Sequence, residues 1–178
     1  IDLTLINGNG ADKVMTALIS GDADIGFMGS EASIYTYAEG AEDYGVNFAQ
    51  LTQRAGNFLV GRKPEADFKW ENLLGTKVLG GRAGGMPQMV FEYILKKNGI
   101  DPKTDLTIDQ SISFGLTAAA FTNDDSDYTV EFEPFATSLE EEGAGYVVAS
   151  LGTDSGYVPY TAYCAKKSYL EQNPEIIQ

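Results

Sequence analysis

The chain has 178 residues, with 12 Lys and Arg against 26 Asp and Glu, a net charge of −14, no histidine and one cysteine. Its 43% hydrophobic content supports a real core, while its acidity argues against nucleic acid, which requires clustered Lys and Arg. The lack of histidine removes Ser-His-Asp and Cys-His catalysis and His-ligated zinc, and a lone Cys164 allows neither an intrachain disulfide nor a Cys-rich metal site.

Residues 1–6 alternate apolar and polar, which predicts a strand, and Asn7-Gly8-Asn9-Gly10 is a turn cluster. A helix follows over 11–20, with Val14, Ala17 and Leu18 on one stripe, and Gly21-Asp22 breaks it. Residues 23–28 read as a short buried strand, and Ser30 is placed to cap a helix over 31–38. Another strand is expected over 46–53. This β-α-β-α-β order predicts a mostly parallel sheet with helices on its faces.

A second unit of the same kind begins near residue 70. A strand over 77–80 runs into Gly80-Gly81-Arg82-Ala83-Gly84-Gly85, then a helix over 86–98 opens with Pro87 and ends at Gly99. Strands over 106–110, 128–132 and 146–150 alternate with helices over 114–121 and 134–142. One more extended run, 158–165, precedes a last helix that simply stops.

The extended segments 51–61 and 158–165 bracket the second unit. The chain is thus expected to leave lobe one (1–60 and 157–178), build lobe two (61–156) and return. Two crossings between α/β lobes imply a hinge with a ligand cleft between them, because ligands in open α/β sheets bind at the carboxyl ends of strands. No signal-like segment and no run of roughly 18 to 20 apolar residues is present. A chain that opens in a strand and closes in a helix reads as part of a longer one, so absent targeting signals say little about location.

Four segments in order resemble type 2 periplasmic solute-binding proteins. They are the run from Val14 through Gly21-Asp22-Ala23-Asp24 to Gly26, the segment from Leu73 through Gly75-Thr76-Lys77-Val78 to Gly81, the helix end Lys96-Lys97-Asn98-Gly99-Ile100-Asp101-Pro102, and Glu131-Phe132-Glu133-Pro134-Phe135-Ala136. The resemblance covers nearly the whole chain and points to the nitrate, sulfonate, taurine and thiamine-precursor branch of ABC importers. It implies a two-lobed α/β fold lacking the first strand and the C-terminal helices. It also implies no enzymatic activity and no cofactor. The expected partners are a small-molecule ligand (sulfonate, nitrate, a thiamine precursor or a similar heterocycle) and an ABC permease. The expected location is extracytoplasmic, periplasmic or at the outer face of a Gram-positive membrane, with membrane contact only through a lipid anchor outside this chain. A sensor domain of the same fold is the alternative. A thiamine-pyrimidine-synthase-like enzyme is disfavoured because that branch consumes its own active-site histidine.

The expected ligand contacts are Gly29, Ser30, Arg54, Asn57, Gly81, Arg82, Gly84, Gly85, Phe114, Glu131 and Glu133. The glycine loop allows close backbone approach and offers amides at a helix N-terminus, with Arg82 adding a donor fork. The same glycines would equally serve a plain strand-to-helix turn. Gly29-Ser30-Glu31 is the matching element of lobe one, with Ser30 presenting its hydroxyl and amide or serving as an ordinary cap. Arg54 and Asn57 offer directional donors at the crossing, or a surface strand end. Glu131 and Glu133 alternate faces, so only one can point to a cleft, where it would meet an amine or ring nitrogen; Glu133 could instead favour the dipole of the following helix. Phe114 heads the aromatics that could wall a ring, with Tyr35, Tyr37, Tyr157 and Tyr160. Residues 123–127 read as a solvated acidic loop, lacking the Gly and terminal Glu of a calcium loop.

Overall fold

The computed structural model describes residues 2–113 and 115–177. In chain order the helices are α1 (Ala11–Ser20), α2 (Glu31–Ala38), α3 (Met86–Lys97), α4 (Thr117–Asn123), α5 (Phe135–Glu141), α6 (Leu151–Ser155), α7 (Lys167–Gln172) and α8 (Pro174–Ile177). The strands are β1 (Ile25–Gly29), β2 (Gly45–Thr52), β3 (Asn57–Gly61), β4 (Lys77–Leu79), β5 (Thr107–Asp109), β6 (Tyr128–Phe132), β7 (Tyr146–Ser150) and β8 (Thr161–Lys166). The chain divides into two units, Ile1–Gln53 with Pro159–Gln178, and Arg54–Val158.

In the first unit, α1 ends where expected because Gly21 turns left-handed (φ 87°) and returns its N–H to the carbonyls of Ala17 and Leu18. Its stripe buries Met15 and Leu18 against Met28, Ala32 and Cys164. The sheet runs β1-β8-β2, and both contacts with β8 are antiparallel. β1 and β2 are therefore parallel to each other, as a βαβ order requires, but the returning β8 fills the slot between them. The mostly parallel sheet expected from residues 1–53 is corrected accordingly. Residues 2–7 form no strand, and Leu3 (85% exposed) and Leu5 (91%) lie on the surface. Alternation alone builds no strand without a paired neighbour.

The second unit has one five-stranded sheet, β5-β4-β6-β3-β7. The contacts of β4 with β5 and β6 are parallel, and those of β3 with β6 and β7 antiparallel. Residues 57–60, assigned above to lobe one, belong here because β3 is hydrogen-bonded between β6 and β7. Alternation sorts the sheet into two faces. Val60, Leu79 and the partly buried Phe58 and Val147 pack with Phe121 of α4 and Ala136 and Leu139 of α5. The other face carries Asn57, Leu59, Val78, Tyr128 and Val130. There an aromatic chain runs from Tyr128 through Phe68 and Trp70 to Phe91 of α3, and α6 packs on α3 and β3.

Candidate functional site

The register of the second unit brings five strand termini to one end of its sheet. Asn57 opens β3 opposite Phe132, the last residue of β6. Phe58 pairs Ser150, the last of β7, and Leu79 at the end of β4 pairs Asp109 at the end of β5. The glycine loop, residues 110–113, Glu133, the 54–56 segment and the start of α6 all leave from this end.

The glycine loop connects β4 to α3 through two left-handed residues, Gly81 (φ 82°) and Gly84 (φ 73°). A Cβ at Gly81 would stand 3.2 Å from that of Pro87, so the turn needs glycine on two counts. Its amides are partly used within the loop. The Gly84 N–H donates to Oε1 of Gln88 (2.6 Å) and the Gly85 N–H to the carbonyl of Arg82 (3.2 Å). Pro87 contributes no N–H. The half-buried Arg82 folds back so that a Cβ on Gly85 would lie 3.7 Å from Nη2.

Arg54 and Asn57 differ sharply. Arg54 is exposed, donates through Nη1 to the carbonyl of Gly152 in α6 (2.9 Å), and lies over the ring of Tyr157 with its guanidinium carbon 4.4 Å from the centroid. A Cβ on Gly152 would collide with the Ala55 carbonyl, so α6 sits directly on this segment. Asn57 is 0% exposed, and neither Oδ1 nor Nδ2 has a hydrogen-bond partner among the described residues.

The two glutamates also diverge. Glu131 (2% exposed) lies on the opposite sheet face from Asn57 and accepts from the hydroxyls of Thr129 (2.6 Å) and of Thr117 at the start of α4 (3.0 Å). Burial pushes its carboxyl above the ordinary value, and the two hydroxyls act in the other direction. Glu133 is exposed, and its Oε2 accepts from the N–H (3.1 Å) and hydroxyl (2.9 Å) of Thr137, anchoring the first turn of α5. Phe114 lies outside the described residues.

In the first unit, Gly29 and Ser30 close β1 beside Thr161, the first residue of β8. Ser30 is already helical in backbone (φ −64°, ψ −19°) and makes no side-chain cap, so the expected capping role is corrected. Its hydroxyl donates instead to the Pro159 carbonyl (2.6 Å). A Cβ on Gly29 would fall on the carboxylate of Glu31, which is 2% exposed. The Glu31 charge adds to burial in pushing the hydroxyl of the buried Tyr160 well above its usual value. Glu31, the third residue of the element read above in lobe one, is thus buried beside Gly29 rather than exposed in the first turn of its helix. Among the aromatics, Tyr35 and Tyr37 are exposed.

The 123–127 loop is tied rather than merely solvated. Arg62 donates to the carbonyls of Phe121, Asp124 and Ser126, and Lys77 pairs with Asp124 and Asp125. Cys164 is fully buried in β8, and burial pushes its thiol up to about 11. Among the described residues there is no acidic, Cys or His cluster suited to a metal, and no helix long and apolar enough to cross a membrane.

A family model described as the NMT1-like family matches residues 1–178. "Putative binding protein YtlA" of Bacillus subtilis (strain 168) is 50% identical over 166 residues, 93% of this chain and 50% of its own length. Among solved structures, the periplasmic aliphatic sulphonate binding protein SsuA from Escherichia coli superposes with a TM-score of 0.79 at 22% identity over 96% of this chain. The alkanesulfonate-binding protein SsuA from Xanthomonas axonopodis pv. citri, bound to MOPS, gives 0.77 at 18% over 94%. At such identities the likeness is one of fold, the periplasmic-binding-protein fold. The chain spans about half the length of these relatives, 50% of YtlA and 56% of each SsuA.

Proposed function

Because this chain belongs to the NMT1-like family, we propose that it is the ligand-capturing part of an extracytoplasmic solute-binding component of an ABC importer. It takes a small polar organic molecule and presents it to a membrane permease without making or breaking bonds. The observation that carries this reading is the convergence of the glycine loop, the 54–57 segment and the start of α6 at one end of the five-stranded sheet. Strand ends of open α/β sheets are where ligands bind. The relatives described above are named as binding proteins and not as enzymes, in line with the absence of histidine.

In this reading Gly81, Arg82, Gly84, Gly85 and Asn57 contact the ligand at the strand ends of the second unit. Arg54 holds α6 and Tyr157, Glu133 anchors α5, and Glu131 supports α4. Membrane attachment is through a lipid anchor outside residues 1–178. The test is a thermal-shift screen of the full-length protein against alkanesulfonates, taurine, nitrate and aminopyrimidines. Stabilisation by one class and not by the others is expected, and a flat response to all would overturn the assignment.

A further inference from the structure

Asn57 is the one buried side chain in the second unit, among the described residues, whose polar atoms have no hydrogen-bond partner. The other buried polar side chains of the second unit among the described residues are all served: Thr117 and Thr129 donate to Glu131, Ser126 to Asp124, and Ser155 to the carbonyl of Gly156. A buried amide left unpaired destabilises a fold, whereas an apolar residue of similar shape at the same place costs nothing of the kind. Leu59 and Val60, further along β3, are fully buried and apolar, so this strand readily accepts such residues. The polar side chain at position 57 therefore answers to something other than the packing of the sheet.

We propose that Asn57 reads an amide-like edge of the ligand, in which a hydrogen-bond donor stands beside an acceptor. The inference rests on the binding function proposed above and specifies the ligand class for that site. Oδ1 accepts and Nδ2 donates, so both are satisfied only by a group that offers the complementary pair, such as an aminopyrimidine, a primary carboxamide or a cyclic urea. A sulfonate presents acceptor oxygens alone; it can meet Nδ2 but sets oxygen against Oδ1. The surroundings favour the same choice. The Gly84 and Gly85 amides, which an anion would want, already donate to Gln88 and to the Arg82 carbonyl. Gly56, next in the chain to Asn57, is exposed, and its Cβ position lies 4.0 Å from the nearest neighbouring atoms, those of the Phe132 ring. Asn57 also shares its sheet face with α3 and α6, the former entered directly from the glycine loop.

The experiment compares the full-length wild type with Asn57→Leu. The probes are 4-aminopyrimidine, nicotinamide and 2-imidazolidinone, with ethanesulfonate as the acceptor-only control. The ligand-free variant is expected to melt at a higher temperature than wild type. Its affinity for whichever donor–acceptor probe binds wild type should fall at least tenfold, with ethanesulfonate unaffected. In wild type, the same probe should shift the side-chain amide resonances of Asn57 in a ¹⁵N-edited spectrum, a readout that needs no variant. A lower melting temperature or failure to fold would show Asn57 to be a structural residue and overturn the proposal. Unchanged probe affinity, or unmoved side-chain resonances, would do the same. If ethanesulfonate binds wild type and none of the three probes does, this inference falls and the binding function stands. If nothing binds, both fall.

Discussion

At the same end of the five-stranded sheet, Glu131 and Asn57 face opposite ways and are treated in opposite fashion. Glu131 is enclosed between β6 and α4 with a hydroxyl donor on each carboxylate oxygen. Asn57, equally buried, meets no partner. A buried polar group whose hydrogen bonds are complete holds a structure together, and removing it orphans its partners. A buried polar group with none contributes no such stability, so its presence points to a ligand. Two carboxylic or amide side chains with the same burial therefore carry different roles, and the difference is visible in their partners alone.

The largest effect that would sharpen this contrast is expected from Glu131→Leu. It leaves the hydroxyls of Thr117 and Thr129 without their acceptor, and a loss of about 2 to 4 kcal/mol in urea unfolding is expected. A neutral result would erase the distinction between the two faces. Asn57→Leu should move stability the other way, as set out above. Arg82→Ala should weaken ligand binding at least tenfold in calorimetry, about 1.4 kcal/mol, with little change in melting temperature, because the loop's turn is made by Gly81 and Gly84. The smallest effect is a pH dependence. The folded-state pKa of Glu131 is raised above 4.5, so its contribution to stability is full below that value and is lost as pH rises through the folded pKa. Asp43, bonded by the N–H and hydroxyl of Ser168, and Asp109, bonded likewise by Ser111, are lowered below 3.8. Their contributions are present above that value and vanish as pH falls. Glu131→Gln should flatten the slope of stability above pH 4.5 and leave the acid limb unchanged.

Local signals in the sequence located most elements closely. Helix 31–38 and strand 128–132 have the expected limits, and the Gly21 and Pro87 punctuation marks real helix boundaries. What local pattern cannot carry is pairing. The insertion of β8 between β1 and β2 depends on contacts between residues more than a hundred positions apart, and the transfer of 57–60 to the second sheet rests on a register with β7 that is likewise distant in sequence. Helix α6 escaped because five residues containing Gly152 show no periodicity, although Ser150 caps it through the Thr153 N–H. At the candidate site, the glycine loop and Asn57 were legible as residue types suited to ligand contact. The engagement of Arg54 with Gly152 and Tyr157, the burial of Glu31 and the closed shell around Glu131 were not, since the first is set by partners about a hundred positions away and the others by how helices pack on their sheets.

The most direct measurement of the central claim is a ¹H–¹⁵N titration of the full-length protein with the compound that stabilises it most in the thermal screen. The account predicts that the largest shifts fall on the amides of Gly81, Gly84 and Gly85 and on the side chain of Asn57, with Glu133, Thr137 and the 123–127 loop unmoved. Shifts centred on that loop or on α5, with the glycine loop silent, would contradict it.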